Sequence, residues 1–158
     1  MKNKKDSPGV FIPPPLIYAL FFLLSFIIQG NFTIRKAYFF HSHLANIAGL
    51  IIILAGFIFA IPALRQFINT KNTIVLIKPA TSLQTSGIYS VSRNPMYLSL
   101  LLIYLGMAFI FGNWWTILLL PLLIIVISNF IILPEEKYLT RAFGDSYSDY
   151  RKKVRRWI

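Results

Sequence analysis

Cysteine is absent from the 158 residues, acidic side chains number only five, and charged residues of either sign make up 13% of the chain. Without cysteine no disulfide scaffold can form. A soluble domain carries about 25% charged residues, and the scarcity here, with 56% hydrophobic residues, excludes a disordered chain and points to a membrane protein. The five acids stand against sixteen Lys and Arg, a formal charge of +11. That excess invites a nucleic-acid reading, but its distribution along the chain argues against one.

No Asp, Glu, Lys or Arg occurs from Ser7 to Ile34, from Ala37 to Leu64 or from Asn94 to Pro134. A helix needs about 20 residues to cross roughly 30 Å of hydrocarbon, so the first two stretches hold one span each. The third is 41 residues long and has room for two. Its middle, Phe111-Gly112-Asn113-Trp114-Trp115, sets a turn dipeptide beside two tryptophans suited to the headgroup level, the pattern of a helical hairpin. The expected architecture is all-α: a polytopic single membrane domain over 1–158, with spans near 13–30, 44–64, 96–112 and 114–133. Pro13, Pro14 and Pro15 must lie at the start of the first span, because proline cannot sit inside a helix without breaking a hydrogen bond. No small-residue cleavage site follows that span, so it is expected to be retained and not removed as a signal peptide.

Four spans put both ends on one side. With the N-terminus inside, fourteen of the sixteen basic residues fall on inner segments and only Arg35 and Lys36 face out. This is the positive-inside asymmetry, and it accounts for the charge without a nucleic-acid partner. The expected location is an integral position in a prokaryotic inner membrane, with N- and C-termini cytoplasmic.

Ala45, Gly49, Gly56 and Ala60 recur at helical spacing in the second span, a face on which a neighbouring helix can approach closely. His41 and His43 precede that span with no Cys or carboxylate nearby, so they read as interfacial polar residues and no metal site is expected.

Chemistry must then lie in the two inner polar segments, within 78–97 and 135–158, which flank the hairpin on one membrane face. Pro95 opens the third helix and keeps Asn94 extended, and that helix start offers free N–H groups to an anion. Arg93 beside it is either a fixed positive fork for a ligand or a side chain snorkelling to headgroups, and Tyr89 and Tyr97 are either ligand faces or an interfacial belt. Glu135 and Glu136 sit near a surface rich in anionic lipid and so require a cationic partner: Arg93, Lys137 or a bound cation. Beyond them Leu139, Phe143, Tyr147, Tyr150, Val154 and Trp157 recur every three or four residues among basic side chains. That pattern suggests an amphipathic cytosolic C-terminal helix on the membrane surface, with a break near Gly144.

These elements together resemble the isoprenylcysteine carboxyl methyltransferase family in the broad sense that includes phospholipid methyltransferases. The shared pattern is Gly87 to Tyr89, then Arg93-Asn94-Pro95-Met96-Tyr97 opening a hairpin. It continues with Glu135-Glu136 through Leu139, Phe143-Gly144, Tyr147 and Tyr150 to the basic end Val154-Arg155-Arg156-Trp157. The resemblance implies methyl transfer from S-adenosylmethionine to a lipid-like or prenylated acceptor, by carboxyl O-methylation or amine N-methylation. It also implies a cofactor pocket built from Thr81, Ser82, Leu83, Gln84, Tyr89, Asn94, Pro95, Met96, Tyr97 and Glu135. The residue chemistry agrees: a helix start and Asn94 suit the cofactor carboxylate, Glu135 its ammonium, and a tyrosine face its adenine. Arg93 and Glu136 are the candidate catalytic residues, Glu136 as the base that an amine acceptor would need.

Two positions depart from the eukaryotic members. Asn94 replaces a His, and Ile131 stands one turn before Glu135 in place of an Arg implicated in substrate binding, which argues against a prenylcysteine carboxylate. Two other functions compete: a non-catalytic scaffold that keeps the fold for partner binding, and a membrane reductase with a nucleotide pocket in a similar place.

Overall fold

The computed structural model describes Gly9 and residues 12–35, 38–69 and 82–158. Thr81, the side chain of His41, and Lys2, Lys4, Lys5, Lys36, Lys71 and Lys78 of the topology argument lie outside the described residues. Within them every regular element is a helix. Helix α1 spans Pro14–Asn31, α2 His43–Asn69 and α3 Pro95–Phe111. Helices α4 (Trp114–Leu118) and α5 (Leu120–Ile127), a π-turn at Ser128–Ile132, and α6 (Leu133–Phe143) follow one another, and α7 (Asp145–Lys153) closes the chain.

Helices α1 and α3 begin and end within one residue of the limits expected for their spans, and α2 runs on to Asn69, past the expected 64. Pro13 caps α1 and Pro14 and Pro15 occupy its first turn, where the missing N–H costs nothing. Gly112 ends α3 in the left-handed conformation at φ 60°, and Asn113 Oδ1 accepts from the Trp115 N–H to start α4, which makes the hairpin turn. The fourth helix runs past the end expected for its span. It does not stop near residue 133; Trp114–Phe143 is a continuous helical run of 30 residues long and apolar enough to cross a membrane, as are α1 and His43–Gln66 of α2, while α3 is a shorter apolar helix. Pro134 fails to break this run because the π-turn lies directly before it: Leu133 N–H reaches back to Ser128 O, and the widened turn makes room for the ring. With large apolar side chains such as Leu20, Leu23, Ile27, Leu50, Leu54 and Ile58 exposed on α1 and α2, this is an integral membrane protein.

Helix α3 lies between α1 and α2 and packs on both. The contact with α2 is close because of the small residues on its face. A methyl group on Gly49 would sit 2.7 Å from the Gly106 carbonyl oxygen, and one on Gly106 would sit 2.6 Å from the Gly49 carbonyl oxygen. On the other side, Ile17, Tyr18, Tyr97, Tyr104, Leu123, Ile127, Ile131 and Ile132 form the buried core that joins α1, α3 and the long run. At the hairpin end Ser25 and Thr116 share a hydroxyl hydrogen bond of 2.8 Å, and Asn113 Nδ2 donates to Ser25 at 3.1 Å. This polar cluster is buried where no water can substitute for it, so α1 is pinned to the hairpin at that end.

The C-terminal stripe is also placed differently from expectation. Gly144, at φ 54°, breaks the helix as anticipated, and the turn folds α7 back. Tyr147, Tyr150 and Val154 are then buried against Leu83, Leu139 and Phe143, and Trp157 packs on the membrane core. The stripe faces the protein's own inner loop, because the loop offers apolar partners and a tyrosine acceptor that a lipid surface does not.

Candidate functional site

At the end of the bundle opposite the hairpin tip, the starts of α1 and α3, the second half of α2 and the start of α6 enclose a cavity of about 220 Å³. Pro14, Pro15, Ala60, Leu64 and Leu100 make its apolar side, while Tyr89, Arg93, Asn94, Tyr97, Ser99 and Glu135 supply polar groups, with Pro95 and Met96 completing the helix start. Six of the ten expected cofactor residues therefore meet in one place: Tyr89, Asn94, Pro95, Met96, Tyr97 and Glu135.

Ser82, Leu83 and Gln84 do not line it. Thr81 is outside the described residues. Leu83 packs on the Tyr147 and Tyr150 cluster, and the Gln84 side chain bonds Ser82 at 2.8 Å and Gln66 at 3.0 Å, which ties the loop to the end of α2. Of the two catalytic candidates, Arg93 lines the cavity and Glu136 does not.

The two neighbouring glutamates are separated by their partners. Glu136 is 5% exposed and is held by two arginines: Arg93 Nη2 lies 3.3 Å from Oε1, and Arg156 donates from Nε to Oε1 at 3.1 Å and from Nη2 to Oε2 at 2.8 Å. The forked geometry lets two parallel charge-assisted bonds form, and these push the Arg156 guanidinium further up. Glu135 takes a hydrogen bond of 2.7 Å from the Tyr97 hydroxyl, and no cation pairs with it among the described residues. Adjacent helix positions point about 100° apart, so one carboxylate turns to the arginines and the other to the cavity.

Burial raises the Tyr89 and Tyr150 phenols well above their ordinary value, and Glu135 adds to the effect at Tyr89. The Tyr150 hydroxyl donates to Tyr89 O at 2.6 Å, which locks α7 onto the 3-10 turn Gly87–Ser90. Tyr18 on α1 donates to Tyr97 O at 3.0 Å, so both sides of the α3 start are anchored.

Sequence reasoning missed Pro14, Pro15, Ala60, Leu64, Ser99 and Leu100. The signal for the first two was present in the topology: an even number of spans returns the start of α1 to the same face as the start of α3. Ala60 belonged to the small-residue face already read as a packing surface. The anchoring by Arg156 had no local signal, because Glu136 lies 20 residues away.

The phospholipid methyltransferase family model matches residues 44–146, from the start of α2 to the start of α7. A Haemophilus influenzae protein described only as uncharacterized is 49% identical over 63 residues, which is 40% of this chain and the whole of that protein. The Protein-S-isoprenylcysteine O-methyltransferase of Schizosaccharomyces pombe is 42% identical over 72 residues, 46% of this chain and 30% of the yeast protein. No solved structure gives a significant match. With a match that covers most of its length, the chain belongs to the phospholipid methyltransferase family.

Proposed function

We propose that the protein transfers a methyl group from S-adenosylmethionine to a lipid-like acceptor at the cytoplasmic face of a prokaryotic inner membrane. One observation carries this reading: Glu135, a carboxylate that no cation pairs with among the described residues, shares a single cavity with a helix N-terminus, Arg93, Asn94, Ser99 and two tyrosines, and the rest of the wall is apolar. Glu135 and Tyr97 suit the ammonium group of an amino acid, the α3 start and Asn94 suit its carboxylate, and Tyr89 suits an adenine ring. Family membership and the yeast relative's printed name support methyl transfer as the reaction class.

When bound, S-adenosylmethionine supplies an electrophilic methyl group carried on a sulfonium. The residues of the chain align the reactants and keep water away, which is the main requirement of an in-line displacement. Pro14 and Pro15 from α1 and Ala60 and Leu64 from α2 flank the start of α3, and this apolar side suits hydrocarbon chains arriving from the bilayer while the reactive head stays at the inner face. A carboxylate acceptor arrives ionised and asks no proton of the protein. An amine acceptor must lose one, and Glu136, the base expected from the sequence, is engaged by Arg93 and Arg156 and does not line the cavity, which favours an acceptor that arrives ready to attack.

Purified protein in detergent is expected to bind S-adenosylmethionine with micromolar-range affinity by calorimetry, weakened by Glu135→Ala. Incubation of native membranes with a labelled methyl donor then identifies the acceptor, base-labile label indicating an ester and base-stable label an N-methyl product. Absence of donor binding across a range of lipids would leave a non-catalytic scaffold as the better account.

A further inference from the structure

After α7 the chain becomes extended, with Val154 at φ −120° and ψ 132°, and runs across the loop that starts α3. The crossing is hydrogen-bonded: Arg93 N–H donates to Arg155 O at 3.0 Å, and Arg156 O accepts from Asn94 Nδ2 at 2.9 Å and from Ser92 Oγ at 3.4 Å. The Arg156 guanidinium grips Glu136, and Glu136 in turn holds Arg93 at 3.3 Å. Arg156 does not line the cavity, yet its two ends control two residues that do: Arg93 through Glu136, and Asn94 through the backbone carbonyl.

We infer that Arg156 is a positioning residue, which clamps the C-terminal tail over the α3 start and so sets the geometry of Arg93 and Asn94 in the ligand cavity. The fork is what allows it. Two parallel bonds to one carboxylate fix the direction of the side chain and hence of the backbone carbonyl beside it, which a lysine's single point charge does not do. What the cavity binds rests on the function proposed above; the clamp itself does not.

The test uses the full chain in detergent with Arg156→Ala and Arg156→Lys, helical content being checked by circular dichroism. Hydrogen exchange followed by mass spectrometry is expected to be about tenfold faster over 92–98 in the alanine variant, with the hairpin tip at 112–118 unchanged and the lysine variant in between. Affinity for S-adenosylmethionine is expected to fall about tenfold in the alanine variant and to recover in part on addition of guanidinium. Unchanged exchange over 92–98 would overturn the inference, and so would equal acceleration at the hairpin tip, which would make Arg156 a general support of the fold. If the wild-type chain fails to bind the donor, the functional reading falls while the exchange measurement still decides the clamp.

Discussion

Tyr97 and Glu135 stand 38 residues apart in sequence, and the Tyr97 hydroxyl donates to Glu135 Oε2 at 2.7 Å. This bond ties the helix start after the inner loop to the acidic pair beyond the hairpin, the two segments that the proposed reaction needs in one place. A hydrogen bond to a charged group contributes about 1.5–3 kcal/mol. Tyr97→Phe is therefore expected to weaken S-adenosylmethionine binding about tenfold by calorimetry, and Glu135→Ala to weaken it further. Equal affinity in wild type and Tyr97→Phe would show that the pair only braces the fold.

Glu136 is expected to matter first for stability. Its carboxylate is nearly buried between Arg93 and Arg156, and Arg93 Nε and Nη1 have no hydrogen-bond partner among the described residues. Removing one member of such a group leaves a buried charge uncompensated, at a cost of about 3–5 kcal/mol. Glu136→Gln should lower the thermal midpoint in detergent far more than Asp149→Asn, because Asp149 pairs with Lys152 at the open surface. Similar midpoints for the two variants would argue against the buried ion group as a stabilising feature.

Close approach of α2 and α3 leaves no room at Gly49 and Gly106. Gly49→Ala places a methyl against backbone that cannot move without separating the helices, and overpacking of this kind costs about 1–3 kcal/mol. Gly30, with nothing near its Cβ direction, is the internal control. Comparison of the detergent unfolding of Gly49→Ala and Gly30→Ala measures the difference, and equal stability would mean that α2 and α3 are held apart in the membrane.

Alkaline pH is expected to loosen the C-terminal lock. Burial, with a contribution from Glu136, pushes the Tyr147 phenol up to about 12 from its ordinary 10.0. Above pH 10 the unfolded chain releases a proton that the folded chain retains, so the contribution is complete below that value and is lost as pH rises toward 12. Tyr147→Phe should flatten the fall of unfolding temperature across this window, with tyrosinate absorbance reporting the titration. An unchanged slope would place the alkaline transition elsewhere.

Much of the fold was legible because a bilayer imposes few and strict requirements. Charge-free runs gave the spans, Pro13 to Pro15 and Gly112-Asn113 marked their limits, and small residues on α2 marked a packed face. The continuation of the last helix past Pro134 was not legible, since a π-turn has no clear residue signature and its i→i+5 bonds form only in the finished helix. The burial of Tyr147 and Tyr150 was also hidden. An apolar stripe among basic residues reads the same whether lipid or protein covers it, and the acceptor at Tyr89 O lies 61 residues away.

For the site, residue types and order along the chain brought Arg93, Asn94, Tyr97 and Glu135 forward, because helix starts, prolines and paired acids are local features. The sequence alone determined that this is a helical membrane protein with its polar chemistry gathered on one face, for a span needs only length and hydrophobicity. The tertiary structure decided how the acidic pair is divided, with Glu136 taken by Arg93 and Arg156 and Glu135 left to the cavity with Tyr97. It also decided that the start of α1 lines the cavity and that the C-terminal tail is hydrogen-bonded across the loop that starts α3. Adjacent glutamates are chemically identical in a sequence, and only the positions of distant cations and hydroxyls, set by how the helices pack, make them different.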